Sequence, residues 1–140
     1  MPADPTCVLF AAGRGERLRP LTNDVPKPCL PLLDIPLAAW GLGTLLSFGA
    51  GSVVINTAYR AAQVAAGLEP YAGDARFVIE KPHPYGTAGT LAALRGDFGR
   101  RVLTWNADEL SDLHPSDLMA THGRLGAPAT LAVIPVGAGA

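Results

Sequence analysis

Cysteine, histidine and surplus charge are all scarce in this sequence. Its two cysteines, Cys7 and Cys29, provide neither a disulfide framework nor a zinc pattern. Cys7 falls in an apolar run, and both read as reduced thiols. The three histidines have no metal-ligand spacing: His83 lies between two prolines, His114 precedes Pro115, and His122 ends a predicted helix, where a cation suits the dipole. No Ser/His/Asp arrangement is visible. Lys and Arg number 11 against 12 Asp and Glu, a net charge of -1, so no overall basic field exists to recruit nucleic acid. The longest uncharged apolar stretch, Leu37 to Ala50, is shorter than the roughly 18 residues that a membrane span requires. It also contains Gly41, Gly43 and Gly49, so no membrane span is expected. Met1 to Thr6 carries no basic segment ahead of a long apolar one, so no signal peptide is expected and a cytoplasmic protein follows. Aromatic residues make up 6%, and Trp40 and Trp105 read as core rather than as stacking platforms.

The chain is 140 residues long and 49% hydrophobic, about one domain by size and apolar enough to bury a core. It alternates in type along its length. Thr6 to Ala11 reads as a buried strand, Leu37 to Phe48 as a helix, and Ser52 to Asn56 as a β-branched strand. A helix around Ala61 to Ala66, a strand at Arg76 to Glu80 and a helix at Thr87 to Leu94 follow. Arg101 to Trp105 is the next strand, Pro115 to His122 a helix with proline at its first turn, and Thr130 to Val136 a last strand. There is no internal repeat and no linker. Strands separated by helices predict a Rossmann-like α/β/α arrangement with a mainly parallel sheet and ligands outside the carboxyl ends of its strands.

The most informative stretch is Val8 to Leu33, VLFAAGRGERLRPLTNDVPKPCLPLL. A short strand empties into a loop with Gly13, Arg14, Gly15, Arg17 and Arg19, and Lys27 follows between two prolines. Glycines bring bare backbone N–H groups up to an anion, and arginine and lysine supply the charge, so the pattern reads as a phosphate grip. A Walker loop is excluded by the spacing of Gly13, Gly15 and Lys27. A dinucleotide fingerprint would need glycine where Leu18 stands, with Asp34 as the acidic ribose contact; that NAD-binding oxidoreductase reading stays open as an alternative. A plain glycine turn with solvated arginines is the third reading.

The segment LFAAGRGERLRPLTNDVPKPCLPL resembles the signature of sugar-1-phosphate nucleotidyltransferases, L-A-A-G-x-G-x-R-L-x-P-L-T followed by K-P-L-x-P. Gly86-Thr87-Ala88-Gly89 is similar to the family's G-T-A-G segment, and Trp105-Asn106-Ala107-Asp108 to its N-G-D metal motif, with Ala107 in place of glycine. The resemblance implies the nucleotide-diphospho-sugar transferase fold and transfer of a nucleoside monophosphate from a nucleoside triphosphate to a sugar 1-phosphate. It assigns Arg17 to the triphosphate and leaving group and Lys27 to the phosphates at the reacting centre. Ala11, Ala12, Gly13, Arg14 and Gly15 would line the nucleotide, and Asp108 would hold Mg2+. Arg14 and Arg19 read equally well as solvated charges. Glu80, Lys81, Gly86 and Thr87 would form the base pocket, bordered by Asn56 and Thr57. Lys81 stands where related enzymes often carry Gln or Glu.

N-T-A-Y after the second strand and G-T-A-G look like the mannose-1-phosphate guanylyltransferase branch, so GTP and mannose 1-phosphate are the narrow expectation. Thymidylyl or uridylyl transfer lies close behind. Family enzymes continue well past Thr130 to Val136, so the resemblance implies a chain lacking the C-terminal part that supplies the sugar pocket and the second metal carboxylate. By itself such a chain is expected to hold a triphosphate and catalyse poorly; a non-catalytic nucleotide-binding or regulatory subunit is the alternative. A sheet edge exposed by truncation would favour a homo-oligomer.

Overall fold

The structure is a computed structural model that describes residues 5–135. They fall into two compact units, one ending at Leu110 and one beginning at Ser111.

In the first unit, β1 (Thr6–Phe10) is followed by a long loop containing two 3-10 turns, at Glu16–Leu18 and Lys27–Cys29. A small antiparallel hairpin, β2 (Pro31–Leu32) and β3 (Ile35–Pro36), leads into α1 (Leu37–Ser47). Then come β4 (Ser52–Thr57), α2 (Ala61–Ala72), β5 (Arg76–Ile79), α3 (Gly86–Leu94) and β6 (Val102–Asn106). β1, β4, β5 and β6 form one sheet in the order β5-β4-β1-β6, and every pairing in it is parallel. β1 lies at the centre because its TCVLF run is apolar on both faces, the pattern of a parallel strand covered from both sides. Val8 packs with Val54, Leu94, Leu91 and Phe98 on the face that carries α3. On the opposite face, α1 sets Gly41 against Trp105 and Leu9, and α2 packs on α1 and β5. The expected three-layer α/β/α arrangement with a parallel sheet is therefore present.

Element boundaries differ from expectation in two places. α2 runs beyond Ala66, through Gly67 and Pro70 to Ala72, because Val64, Leu68 and Ala72 recur every fourth residue on its buried side. The strand expected over Thr130 to Val136 is absent from residues 130–135, and Val136 lies outside the described residues. A strand is defined by hydrogen bonds to a neighbour, and no described strand pairs with this run. Its Leu131, Val133 and Ile134 are exposed. The second unit contains α4 (Pro115–Leu125), with proline in its first turn, His114 accepting from the Ser116 amide, and Gly126 closing it at φ 58°. Among the described residues no helix is long and apolar enough to cross a membrane.

Register fixes where the loops go. Phe10 is level with Asn56 and Asn106, and Asn56 with Val78. The ladder continues one step further through Ala107 N to Phe10 O (3.1 Å) and Glu80 N to Thr57 O (2.7 Å). The segments after all four strands therefore leave from one edge of the sheet.

Two thiols test the packing. Cys7 has no accessible surface and burial pushes its thiol up to about 12, while partial burial also raises that of Cys29. Native chain should show no rapidly reacting thiol, and both should react on unfolding; immediate labelling of Cys7 would contradict the buried strand. Because the folded chain keeps the Cys7 proton that the unfolded chain releases near pH 9, this group removes stability only as pH rises from about 9 toward 12.

A pair of glycines in α1 gives a second test. A Cβ added at Gly41 would sit 2.9 Å from Trp105 Cδ1 and 3.1 Å from its Nε1, whereas one added at Gly43 meets nothing within 4 Å. Overpacking costs about 1–3 kcal/mol and helix propensity returns at most about 1. Gly41→Ala should therefore lower the urea midpoint and Gly43→Ala raise it; equal effects would show that α1 does not press on Trp105.

Candidate active site

The loop that leaves β1 is held by backbone geometry before any side chain acts. Ala11 N donates to both the carbonyl of Asn56 (3.2 Å) and its side-chain Oδ1 (2.9 Å), fixing the exit from the strand. Gly15 adopts φ 66°, and a Cβ there would lie 2.8 Å from Lys27 Cβ and 3.1 Å from Thr22 Cγ2. Only glycine suits both the conformation and the space. Gly13 meets nothing within 4 Å, so its bare backbone faces an open cavity. The buried Thr22 hydroxyl donates to Gly15 O (2.9 Å), Leu18 N donates to the same carbonyl (3.0 Å), and Asn23 N to Pro20 O (3.0 Å). The Lys27–Cys29 turn, with buried Pro28 inside it, then presents Lys27 toward the same cavity.

That cavity measures about 560 Å3, and Gly13, Arg14, Gly15, Arg17, Lys27 and Asp108 are among its lining residues. Lys27 Nζ donates to Asp108 Oδ2 in an ion pair. Arg17 makes no ion pair among the described residues, whereas Arg14 and Arg19 both approach Glu16, at 3.8 and 3.9 Å. Asp108 comes from the turn after β6. Asn106 Nδ2 donates to Glu109 Oε1 (2.7 Å) and Glu109 N to Asn106 O (3.2 Å), so Glu109 closes its own turn.

A second cavity of about 290 Å3 adjoins it, sharing Phe10, Gly13 and Arg14 with the first. Ala12, Asn56, Glu80, Gly86 and Thr87 line its remainder with Pro84. Behind it lies a buried polar cluster. Glu80 is 3% exposed; its Oε1 accepts from Asn56 Nδ2 (2.9 Å) and from the Thr90 hydroxyl, and its Oε2 from Tyr85 N (2.7 Å). No basic side chain pairs with it among the described residues, so these donors compensate its burial.

The charged cavity and the smaller one beside it lie at the carboxyl edge of a parallel sheet, where open α/β folds bind their ligands. The family model for nucleotidyl transferases matches residues 6–139. The chain belongs to this family. It is 38% identical over 110 residues to an N-acetylmuramate alpha-1-phosphate uridylyltransferase of Neisseria meningitidis, covering 76% of this chain and 48% of that protein. It is 32% identical over 137 residues to a mannose-1-phosphate guanylyltransferase of Mycobacterium tuberculosis, covering 93% of this chain and 37% of that one. The chain thus spans half or less of the length of these curated relatives. Among solved structures, a nucleotidyl transferase from Methanothermobacter thermautotrophicus superposes with a TM-score of 0.62 at 28% identity, covering 74% of this chain and 50% of that chain. HddC from Yersinia pseudotuberculosis, complexed with GMP-PN, reaches 0.72 at 22% identity, covering 84% and 54%, and supports the shared fold.

Within this nucleotidyl transferase fold, Ala11, Gly13, Arg14, Gly15, Arg17, Lys27 and Asp108 all line the larger cavity, and Ala12, Glu80, Gly86 and Thr87 the smaller. Lys81 lines neither: it is exposed, and its carbonyl accepts from the Tyr85 hydroxyl (3.1 Å). Asn56 borders the smaller cavity, whereas Thr57 is buried and donates to Val78 O (3.3 Å). Sequence reasoning missed Thr90 and Tyr85. The signal for Thr90 was its spacing, four residues after Gly86, whose carbonyl its hydroxyl reaches at 2.9 Å. Among the described residues no three His, Cys, Asp or Glu gather as a metal cluster.

The polar cluster is testable by chemistry that preserves shape. Three donors converge on Glu80, and a glutamine must turn its NH2 toward at least one of them. Glu80→Gln should cost about 1–3 kcal/mol, seen as a lower urea midpoint with unchanged slope. Unaltered stability would mean that Glu80 is not the acceptor of all three.

Proposed function

We propose that the chain provides the nucleotide-binding part of an enzyme that transfers a nucleoside monophosphate from a triphosphate to a sugar 1-phosphate. The observation that carries this reading is the convergence of Arg17, Lys27 and Asp108 on one cavity floored by Gly13 and Gly15. In the reaction an oxygen of the sugar phosphate attacks the α-phosphorus, the α–β P–O bond breaks, and pyrophosphate leaves. Negative charge builds on the transferring group and the leaving oxygen, so catalysis is positioning plus electrostatic stabilisation. Arg17 faces the leaving phosphates. Lys27 serves the reacting centre once phosphate oxygens replace Asp108 as its partner. Asp108 suits Mg2+, which prefers oxygen donors and commonly takes one or two carboxylates with water and phosphate completing its shell. When bound, the ion neutralises phosphate charge. The smaller cavity holds the base, with Gly86 and Thr87 at its wall.

GTP and mannose 1-phosphate are the preferred substrates, supported by several relatives named for mannose-1-phosphate guanylyl transfer. Uridylyl transfer is the second reading, favoured by the relative named for N-acetylmuramate 1-phosphate at 38% identity.

Thermal unfolding with GTP, UTP, dTTP, ATP, CTP and NAD, each with and without Mg2+, tests both. A triphosphate at a hundred times its dissociation constant adds about 2.7 kcal/mol. GTP should give the largest shift; a larger one with UTP selects the second reading, and no triphosphate shift overturns the proposal. Arg17→Ala and Lys27→Ala should each reduce the shift. Asp108→Asn should remove its Mg2+-dependent part alone.

A further inference from the structure

Arg17 and Lys27 must meet one cavity although the loop between them contains little regular structure. Its internal ties, from Thr22 to Gly15 and from Asn23 to Pro20, leave the carbonyls of Asn23 and Asp24 to be satisfied from outside the loop. Arg60, at the start of α2, takes both. Its Nη2 donates to Asn23 O (2.6 Å) and its Nη1 to Asp24 O (3.0 Å). The same guanidinium donates from Nη1 to Gln63 Oε1 (3.0 Å) and from Nε to the Tyr59 hydroxyl (3.1 Å). It also lies 5.6 Å from the centre of the Tyr59 ring, and Arg14 approaches that ring at 6.0 Å. Arg60 makes these contacts from a left-handed backbone, φ 50° and ψ 41°, a conformation that a non-glycine residue keeps only when its surroundings hold it there.

Building on the nucleotide reading above, we infer that Arg60 is a positioning residue for the phosphate grip. By holding the turn at 23–24 against the start of α2, it sets Lys27 relative to Gly15 and Arg17, and the Tyr59 ring steadies Arg14 from the same anchor. The fork of donors is what matters, since two adjacent carbonyls, an amide oxygen and a phenol are reached by one planar group. A lysine keeps the charge and loses the fork. Arg60 therefore acts chiefly on the triphosphate tail, through the loop that carries Lys27.

NMR titration of the 140-residue chain with GTP, UTP and the corresponding nucleosides separates these effects. Arg60→Ala and Arg60→Lys should each weaken triphosphate binding about tenfold while changing nucleoside binding less than about twofold. Equal losses for triphosphate and nucleoside would reduce Arg60 to a general structural role, and full affinity in Arg60→Lys would replace the fork by simple charge; either overturns the inference. A native chain that binds no triphosphate would defeat the nucleotide reading itself. Amide hydrogen exchange of the ligand-free protein reads the clasp directly. Arg60→Ala should lose protection at residues 18–29 and retain it in β1, and unchanged exchange at 18–29 would overturn the inference without any ligand.

Discussion

The in-register parallel pairing of β1 with β4 and β6 is the constraint on which the site depends. Parallel neighbours that start level also end level, so Phe10, Asn56 and Asn106 deliver their following segments to one edge. Residues far apart in the chain, such as Lys27 and Asp108, then share a cavity. A one-residue shift of β6 against β1 would turn Leu103 and Trp105 away from the layers they pack in and carry Asp108 out of level with the loop that leaves β1. The fold and the site therefore rest on the same strand pairing.

Asn56 extends that constraint into the loops. Its Oδ1 supports the backbone exit from β1, while its Nδ2 points to the Glu80 carboxylate and to the Thr90 hydroxyl at 3.1 Å. The wall of the larger cavity and that of the smaller one are thereby joined through one buried amide. Such a network is stabilising only when every member is satisfied, and among the described residues no buried side-chain polar atom lacks a partner. Electrostatics follow a similar economy in the larger cavity. Lys27 and Asp108 neutralise each other and Glu16 offsets only one of Arg14 and Arg19, so with Arg17 a net positive charge is left for an anion to meet.

What was legible in the sequence was what is local or periodic. The apolar runs of β1 and β4, the glycine loop and Lys27 between prolines are all readable within a few residues, and the resemblance supplied the grouping of Arg17, Lys27 and Asp108. Contacts across the chain were not readable. Arg60 reaches carbonyls 36 and 37 positions away, and no spacing rule marks a basic residue after a strand as the clasp of an earlier loop. The sequence marks Glu80 as a base-facing residue; in the structure it borders the smaller cavity, and its oxygens are engaged by Asn56, Thr90 and Tyr85. The apolar run from Thr130 has strand composition, yet composition supplies no pairing neighbour. α2 outran its expected end because burial every fourth residue outweighed Gly67 and Pro70.

Gly15 shows how the loop becomes a fixed object and not a flexible strap. Thr22 and Leu18 both bond to its carbonyl, and the Lys27 side chain packs against its Cα, so two distant points of the loop return to one residue. A closed loop of this kind has already lost most of the conformational freedom that gripping a phosphate chain would otherwise remove, and preorganisation lowers the entropic cost of binding. The arginine and lysine side chains still have rotamers to lose, but their Cα positions do not. Closure at Gly15 ties the loop at one point, and the Arg60 bonds to Asn23 O and Asp24 O tie it at another.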